Sequence, residues 1–454
     1  MRGQPTGMRG QRMLIVGVML SVFTVAFQTI GVATALPTLM TSFDAEHLYP
    51  WAFTTMVSGM LLATLIAGRV ADRRGPALPV YLGFSLFALG LVLGWVAGSV
   101  WIVLLARLVQ GLGAGALNLT LSVVIAHGFA ASQRPRVMAL FSFCWLLPAF
   151  IGPPFAAWLT HYSWRYVFAA MLPMVVVALL MTLPGIRTVQ AGFVAGGDAV
   201  PPVPVLPTVA VTLAPSLILL AGQDIGWWAL ASAACGIAVL FWGMPHSLTP
   251  AARGFGPGLP SVVVARAVQA GSFFAAETIV LVTLQDLRGF STFQVGLALT
   301  VGSLGWTAGS WLQAQRWLRL DRNTFITAGA TISAVGIGGL AAFAWNPQLS
   351  LLFALSAWVV AGLGMGLSMP SSAVAVMSLS SQFDQGRNQS SLQVAESVGN
   401  YVVTAVAGGI YTALLLAEPD RLSYTAALLA ALLVALVAVL AGSRIGRIHN
   451  DLLD

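Results

Sequence analysis

The chain has 454 residues, of which 58% are hydrophobic and only 8% are charged, and its mean hydropathy is +0.88. A soluble fold of this length cannot bury so much apolar surface, so the composition excludes a soluble domain and indicates an integral membrane protein. The formal charge of +7 comes from single arginines between apolar stretches, which is the pattern of topology signals and does not indicate a nucleic-acid partner.

Fourteen apolar stretches of about 20 residues, the length that crosses the hydrocarbon layer, follow one another along the chain. With the amino terminus inside, sixteen arginines fall in inner segments and three fall in outer loops. This bias predicts a multi-pass protein of the cell membrane with both termini in the cytoplasm. The predicted helices are 13–36, 50–70, 78–98, 100–125, 137–159, 166–186, 206–222, 227–244, 260–284, 292–314, 324–344, 350–378, 390–416 and 423–443.

Two stretches rich in Gly and Pro, 187–205 and 245–259, flank the predicted pair of helices at 206–244. Such composition is typical of linkers. We therefore predict an all-α membrane fold in a 6+2+6 arrangement. Its parts are an N-terminal six-helix bundle at 1–190, a linker with two inserted transmembrane helices at 191–259, and a C-terminal six-helix bundle at 260–454.

An internal repeat relates the two predicted bundles. The stretch "RLVQGLGAGALNL" at 107–119 aligns without gaps to "WVVAGLGMGLSMP" at 358–370. Its G-x-G-x-G core is what close helix packing in lipid requires, because small residues let backbones approach. A dinucleotide loop would need a preceding strand, so that alternative fails. Parallel repeats of six helices are typical of one class of secondary transporters, whose substrate cavity lies between the halves.

Three stretches resemble the signatures of the major facilitator superfamily, in particular its fourteen-helix drug:proton antiporter branch. They are "GRVADRRG" at 68–75, "RLVQGLGAG" at 107–115 and "PAFIGPPFAA" at 148–157, the last containing the antiporter motif residues Gly152 and Pro153. The resemblance covers essentially the whole chain. It implies rocking of one half against the other, proton-driven export of amphipathic compounds, no cofactor and no enzymatic activity.

The first of these stretches contains Gly68, Asp72, Arg73 and Gly75 in the loop after the second predicted helix. Basic residues there satisfy the inside-charge bias, and that role alone is one explanation of the loop. An acid with a structural partner is the other explanation, because topology signals do not require Asp72. We predict that these residues form a conformational latch at the inner end of the helices.

Three polar side chains are predicted at one level of the substrate cavity. Gln28 stands where the resembled family usually has an acidic residue, and glutamine cannot exchange a proton near neutral pH. Arg107 lies about 10 Å inside the fourth helix, a depth at which arginine either faces a cavity or bonds structurally to carbonyl groups of helix 1. Glu277 lies in the repeat counterpart of the first helix. We predict that Glu277 couples protons in place of the missing acid; the alternatives are a fixed partner of Arg107 or a residue at the outer interface.

The other acid within a predicted span is Glu396. It is either a second proton-coupling site or the partner of an inner-loop residue such as Arg387. Aromatic residues of the later bundle are candidates for the cavity wall, and Trp358 stands out because it occupies the repeat position of Arg107. The candidates for the cavity wall are Trp306, Trp311, Trp358, Phe273 and Phe274, and a packing or lipid-facing position is the alternative for each of them.

The sequence leaves three functional classes open. The first is a proton-coupled exporter of small amphipathic substrates, cationic or lipid-like, acting as a monomer in the lipid bilayer. A lipid or cell-envelope metabolite exporter has the same fold and a different cargo. The third class is an uncoupled membrane sensor or scaffold, which Gln28 in the acid position permits. We find no metal-ligand spacing, nucleophile elbow or phosphate loop that indicates an enzyme.

Overall fold

The structure is a computed structural model that describes residues 8–45, 48–194, 204–221, 227–290, 292–318, 320–417 and 421–449. Two of the arginines assigned to inner segments, Arg2 and Arg319, lie outside these residues. Within them the secondary structure is helical throughout, with α-helices joined by short 3₁₀ turns and loops. The predicted all-α class is therefore confirmed for the described part of the chain.

The first nine helices are α1 (Met8–Thr41), α2 (Tyr49–Arg74), α3 (Ala77–Trp95), α4 (Val100–Gly128), α5 (Arg134–Tyr162), α6 (Arg165–Ala169), α7 (Leu172–Ala191), α8 (Val205–Ala221) and α9 (Trp227–Ser247). The later helices are α10 (Leu259–Val282), α11 (Thr292–Leu312), α12 (Arg322–Trp345), α13 (Leu351–Leu379), α14 (Gln385–Ala417) and α15 (Arg421–Ser443). A π-helical turn, Thr283–Leu287, extends α10.

One predicted helix is divided. The sequence predicts a single helix at 166–186, whereas the structure has the short α6 and then α7. Pro173 in the first turn of α7 has no backbone N–H, so the helical hydrogen bond to the carbonyl of Ala169 is missing, which explains the break.

By length and composition, ten helical segments of the described residues are able to cross a membrane. The residues Val205–Ile218 of α8 form a shorter apolar helix. The 6+2+6 arrangement and the count of fourteen spans remain predictions.

The chain divides into two compact units. The first comprises Met1–Ala130, Phe143–Thr249 and Ser380–Val394, and the second comprises Ala131–Ser142, Pro250–Leu379 and Ala395–Asp454. In the first unit α4 packs against α2 and α3, and α8 packs against both α9 and α2. In the second, α13 packs in the same way against α11 and α12.

The repeated glycines explain this packing. A methyl group on Gly111 would collide with the carbonyl oxygen of Met56, and one on Gly115 with that of Met60, both on α2. In the second unit the counterparts Gly362 and Gly366 meet the backbone of α11 in the same way. The prediction that the G-x-G-x-G core serves helix packing is confirmed, because no side chain fits between these backbones.

This packing predicts a stability effect for a single added methyl group. Gly115→Ala should lower the stability of the protein by about 1–3 kcal/mol, since a helix backbone must shift to admit the methyl group. Gly409→Ala is the matched control, because Gly409 lies within α14 with no atom near its missing side chain. Thermal unfolding in detergent measures both variants, and equal midpoints would contradict the packing explanation.

Candidate functional site

Asp72 lies at the carboxyl end of α2 and is only 1% exposed. Its two carboxylate oxygens accept backbone N–H groups from Gly386, at 2.7 Å, and from Arg387, at 2.9 Å. Both donors belong to the first turn of α14, where N–H groups lack helical partners and attract negative charge. The Arg387 guanidinium also lies 3.3 Å from the Asp72 carboxylate. Asp72 therefore has the structural partner that the latch prediction requires.

The glycines beside Asp72 are needed for different reasons. Gly68 packs its backbone against Gly386 of α14, so a side chain there would separate α2 from α14. Gly75 ends α2 with a φ of 89°, a backbone conformation that residues with side chains rarely adopt. Arg73 is half-buried in the last turn of α2.

Arg107 is 1% exposed in α4, and both of its hydrogen-bond acceptors are neutral. Its Nε donates to the carbonyl of Ala52 on α2 at 3.2 Å, and its Nη1 donates to the Gln110 side chain at 2.9 Å. The alternative considered from the sequence, bonding to helix 1 carbonyls, names the wrong helix. The glycine contacts place the α2 backbone against α4, which brings an α2 carbonyl within reach of the guanidinium.

Gln28 is fully buried in α1. Neither the amide nitrogen nor the amide oxygen has a hydrogen-bond partner among the described residues. An unsatisfied buried amide costs about 1–3 kcal/mol. Such a group is chemically suited to a polar atom of a ligand, because it offers both donors and an acceptor.

The antiporter motif residues lie in the middle of α5. Gly152 is buried and faces Ile30 of α1, whereas Pro153 is half-buried within the helix. Gly31 of α1 in turn faces Ala156 of α5. A methyl group added at either glycine would lie 3.6 Å from the nearest side-chain atom of the other helix, which is ordinary van der Waals contact.

Glu277 is half-buried in α10 of the second unit. Its carboxylate forms no hydrogen bond and no ion pair with any described residue. It follows Phe273 by four residues and Phe274 by three, so the three side chains share one face of α10. Glu277 thus lies about one helical turn from Phe273 and Phe274, two of the aromatic residues predicted for the cavity.

Four of the five aromatic candidates form one cluster, whereas Trp311 of α11 is 56% exposed. The Phe273 ring stacks on the Trp358 ring with centroids 4.6 Å apart, and the Trp306 ring meets Phe273 edge-on at 5.6 Å. Trp358 and Phe273 are only 2% and 3% exposed, whereas Phe274 and Trp306 are half-buried. The prediction that Trp358 and Phe273 line a cavity is therefore wrong for this conformation, because they are packed into the core of the second unit. Within this cluster, the accessible aromatic surface belongs to Phe274 and Trp306.

Glu396 of α14 forms an ion pair with Arg266 of α10, with a closest distance of 2.7 Å. Arg266 also donates to the carbonyl of Met369 and to the Ser372 hydroxyl on α13. The two charged side chains are 14% and 26% exposed. Arg387, named from the sequence as an example partner of Glu396, is not that partner, because it binds Asp72 and Asp384 instead.

Sequence reasoning missed Arg266. The residue lies in the predicted helix at 260–284, in a stretch that is otherwise almost wholly apolar, and was not matched to any acid. An arginine and a glutamate buried in two apolar spans are each costly alone, so their pairing could have been expected. The 130 residues between them hide the contact from inspection of the sequence.

A family profile described as Major Facilitator Superfamily matches residues 18–400. The multidrug transporter protein MdtP of Bacillus subtilis is 24% identical over 88% of this chain and 75% of its own length. The multidrug resistance protein Stp of Mycobacterium tuberculosis is 26% identical over 89% of this chain and 76% of its own length. An uncharacterized transporter of Mycobacterium tuberculosis, Rv1877, is 26% identical, and the chain spans 57% of its length.

Solved transporter structures have the same fold. The human organic anion transporter MFSD10 superposes with a TM-score of 0.66 at 15% identity, covering 94% of this chain and 99% of that one. The proton:xylose symporter XylE superposes with a TM-score of 0.65 at 16% identity, covering 98% of each chain. At these identities the superpositions establish the fold of the chain and leave its cargo open.

Proposed function

The chain belongs to the major facilitator superfamily, and from that premise we propose that it is a proton-coupled exporter of small amphipathic compounds. Two relatives over most of the chain carry multidrug names, which supports drug-like cargo. The proposed setting is the cell membrane, with both termini in the cytoplasm, and the proposed mechanism is alternating access by a monomer. Protons moving inward drive the export.

The proposal rests on which acidic side chains in the described membrane helices have a fixed partner. Asp72 is held by N–H groups of α14, and Glu396 is held by Arg266. Glu277 has no such partner among the described residues. A carboxylate that is not neutralised by a fixed cation can gain and lose a proton without breaking an ion pair. We therefore assign proton coupling to Glu277 and a structural role to Glu396.

The residues around Glu277 suit an amphipathic cargo. Phe274 precedes Glu277 by about one helical turn, and its ring lies 6.3 Å from that of Trp306. Aromatic faces of this kind bind flat or cationic groups. A lipophilic cation bound there would be stabilised by the ionised carboxylate and would lose that attraction once a proton has neutralised the carboxylate. Competition of this kind between proton and substrate for one carboxylate is what antiport requires.

In the first unit, Gln28 and Arg107 are the proposed polar contacts of the cargo. The Gln28 amide has hydrogen-bonding capacity that no described residue uses. Arg107 is held in place by Ala52 and Gln110 through neutral acceptors, so its charge is not cancelled by those partners.

One proton moving down about 100 mV supplies roughly 2.3 kcal/mol, which supports a substrate gradient of roughly fiftyfold for a neutral cargo under tight coupling. No ATP site is needed for a gradient of this size.

The proposal is tested with cells that overproduce the protein and are loaded with fluorescent amphipathic compounds such as ethidium or a rhodamine. We expect faster loss of fluorescence than in cells without the protein, and we expect a protonophore to abolish the difference. Purified protein in vesicles with an imposed pH gradient repeats the measurement without other transporters. Export that is indifferent to the protonophore and to the gradient would contradict proton coupling, and a lack of any substrate-dependent flux would favour the sensor or scaffold.

A further inference from the structure

The first turns of α14 are held on one side by α2. Asp72 accepts the N–H groups of Gly386 and Arg387, and Gly68 touches the Gly386 backbone. One turn further on, the Ser390 hydroxyl donates to the carbonyl of Thr64 at 3.0 Å. All these atoms belong to the first compact unit.

The second side is formed by the end of the helix pair α8 and α9. The segment Ser247–Thr249, which begins with the last residue of α9, is almost completely buried although two of its three side chains are polar. The Thr249 hydroxyl donates to the Asn388 side chain at 2.8 Å, and the Thr249 backbone N–H donates to the Ser391 hydroxyl at 3.1 Å. Both acceptors lie on α14.

The same segment is tied to α2. Arg69 of α2 donates from Nη2 to the carbonyl of Ser247 at 3.2 Å, and Arg69 is itself buried. The start of α14, residues 385–391, therefore lies between the end of α2 and the segment Ser247–Thr249. We call these two sides together the α14 clamp.

Asn388 connects the clamp to the loop before α14. Its amide nitrogen donates to the Ser380 hydroxyl at 2.9 Å while its amide oxygen accepts from Thr249. The Ser391 hydroxyl donates to the Arg387 carbonyl, so the residue that binds Thr249 also contacts the residue that binds Asp72. The contacts of Thr249 on α14 are thus one helical turn away from the N–H groups that bind Asp72.

We propose that Thr249 and Asn388 are positioning residues of the transport cycle, through which the α8–α9 pair determines how firmly the start of α14 is held against Asp72. The proposal rests on the proposed alternating-access function and assigns a role to the helix pair between the two six-helix groups. Asp72 supplies the charge that attracts α14, and Thr249 fixes the orientation in which α14 presents its N–H groups. Without the Thr249 contact the start of α14 is attached on one side only.

The test compares Thr249→Val, which keeps the side-chain shape and removes the hydroxyl, with Thr212→Val as control. The Thr212 hydroxyl is equally buried in α8 but donates only to the Thr208 carbonyl of its own helix. Hydrogen–deuterium exchange of the full-length protein in lipid nanodiscs reports on the N–H groups of residues 385–391. We expect exchange there to be about fivefold faster in Thr249→Val, the equivalent of one neutral hydrogen bond, and unchanged in Thr212→Val.

Two further readouts separate positioning from a merely structural contact. Combining Thr249→Val with Asp72→Asn should accelerate exchange by less than the product of the single effects, because both residues hold the same turn. The maximal export rate of Thr249→Val should fall about threefold with KM unchanged, since the held state is one of the two states that transport requires.

Unchanged exchange at 385–391 in Thr249→Val, or multiplicative effects with Asp72→Asn, would overturn the clamp. A lower unfolding temperature without faster exchange at 385–391 would overturn it as well. These outcomes do not depend on proton coupling. If Thr249→Val shows normal proton-driven export and exchanges its N–H groups like wild type, only the proposed role of the clamp is contradicted. If the wild-type protein shows no export but Thr249→Val shows faster hydrogen–deuterium exchange at 385–391, the proposed function is contradicted and the clamp contacts are supported.

Discussion

Replacing Glu277 with glutamine is expected to abolish proton-driven export and to leave exchange of substrate across the membrane intact. The amide has nearly the shape of the carboxylic acid, but it cannot gain or lose a proton near neutral pH. In vesicles with a membrane potential of about 100 mV, the wild-type protein should build a gradient of up to roughly fiftyfold for a neutral cargo. With Glu277→Gln, the substrate should reach equal concentrations on the two sides of the vesicle membrane.

Asp286→Asn is the matched control for this variant. Asp286 lies in the π-helical turn at the end of the same helix, is exposed, and is nine residues further along the chain. Removing its charge should leave the gradient unchanged, because an exposed acid at the helix end has no part in the proposed coupling. A Glu277→Gln protein that still concentrates substrate would end the assignment of coupling to this carboxylate.

Replacing Glu396 with glutamine is expected to destabilise the protein by about 2–3 kcal/mol. Breaking a fully buried ion pair costs about 3–5 kcal/mol, because the remaining charge is left without a counter-ion. Arg266 retains the Met369 carbonyl and the Ser372 hydroxyl as acceptors and is partly exposed, so the effect should be smaller. Thermal or denaturant unfolding in detergent measures the change.

Two further variants test that the loss comes from an unpaired charge. Asp384→Asn removes the acid of the ion pair between Asp384 and Arg387, in which the Asp384 side chain is 41% exposed, and it should cost less than about 1 kcal/mol. Arg266→Met combined with Glu396→Leu removes both charges and should recover most of the stability. If the double variant is less stable than Glu396→Gln alone, the pair has a role that charge balance does not explain. Residual proton coupling in the double variant is expected, since Glu277 is untouched.

The features that depend on local periodicity were predictable from the sequence. The long apolar stretches predicted the helices, and the spacing of Gly111, Gly113 and Gly115 predicted close helix packing, because a missing side chain has the same consequence wherever the helix lies. Asp72 was recognisable because an acid in a basic loop needs a partner. The identity of that partner, the first turn of α14, lies more than 300 residues away and could not be inferred from spacing.

The side-chain environments within the bundles were less predictable. The repeat correctly aligned Trp358 with Arg107, but it gave no information on burial, and the aligned positions differ in chemistry. Arg107 satisfies its donors with neutral acceptors in the first unit, whereas Trp358 packs against Phe273 in the core of the second. Hydrophobic periodicity identifies the face of a helix that is buried and does not order the side chains on that face. The same limit hid the pairing of Arg266 with Glu396.

Substrate-dependent proton movement in vesicles measures the central claim most directly. Protein is reconstituted with a pH-sensitive dye inside, a substrate gradient is imposed, and the initial change of internal pH is recorded for wild type, Glu277→Gln and the Arg266→Met, Glu396→Leu double variant. We predict substrate-dependent proton movement in wild type and in the double variant, and none in Glu277→Gln. Proton movement that persists in Glu277→Gln and disappears in the double variant would contradict the assignment and transfer the coupling role to Glu396.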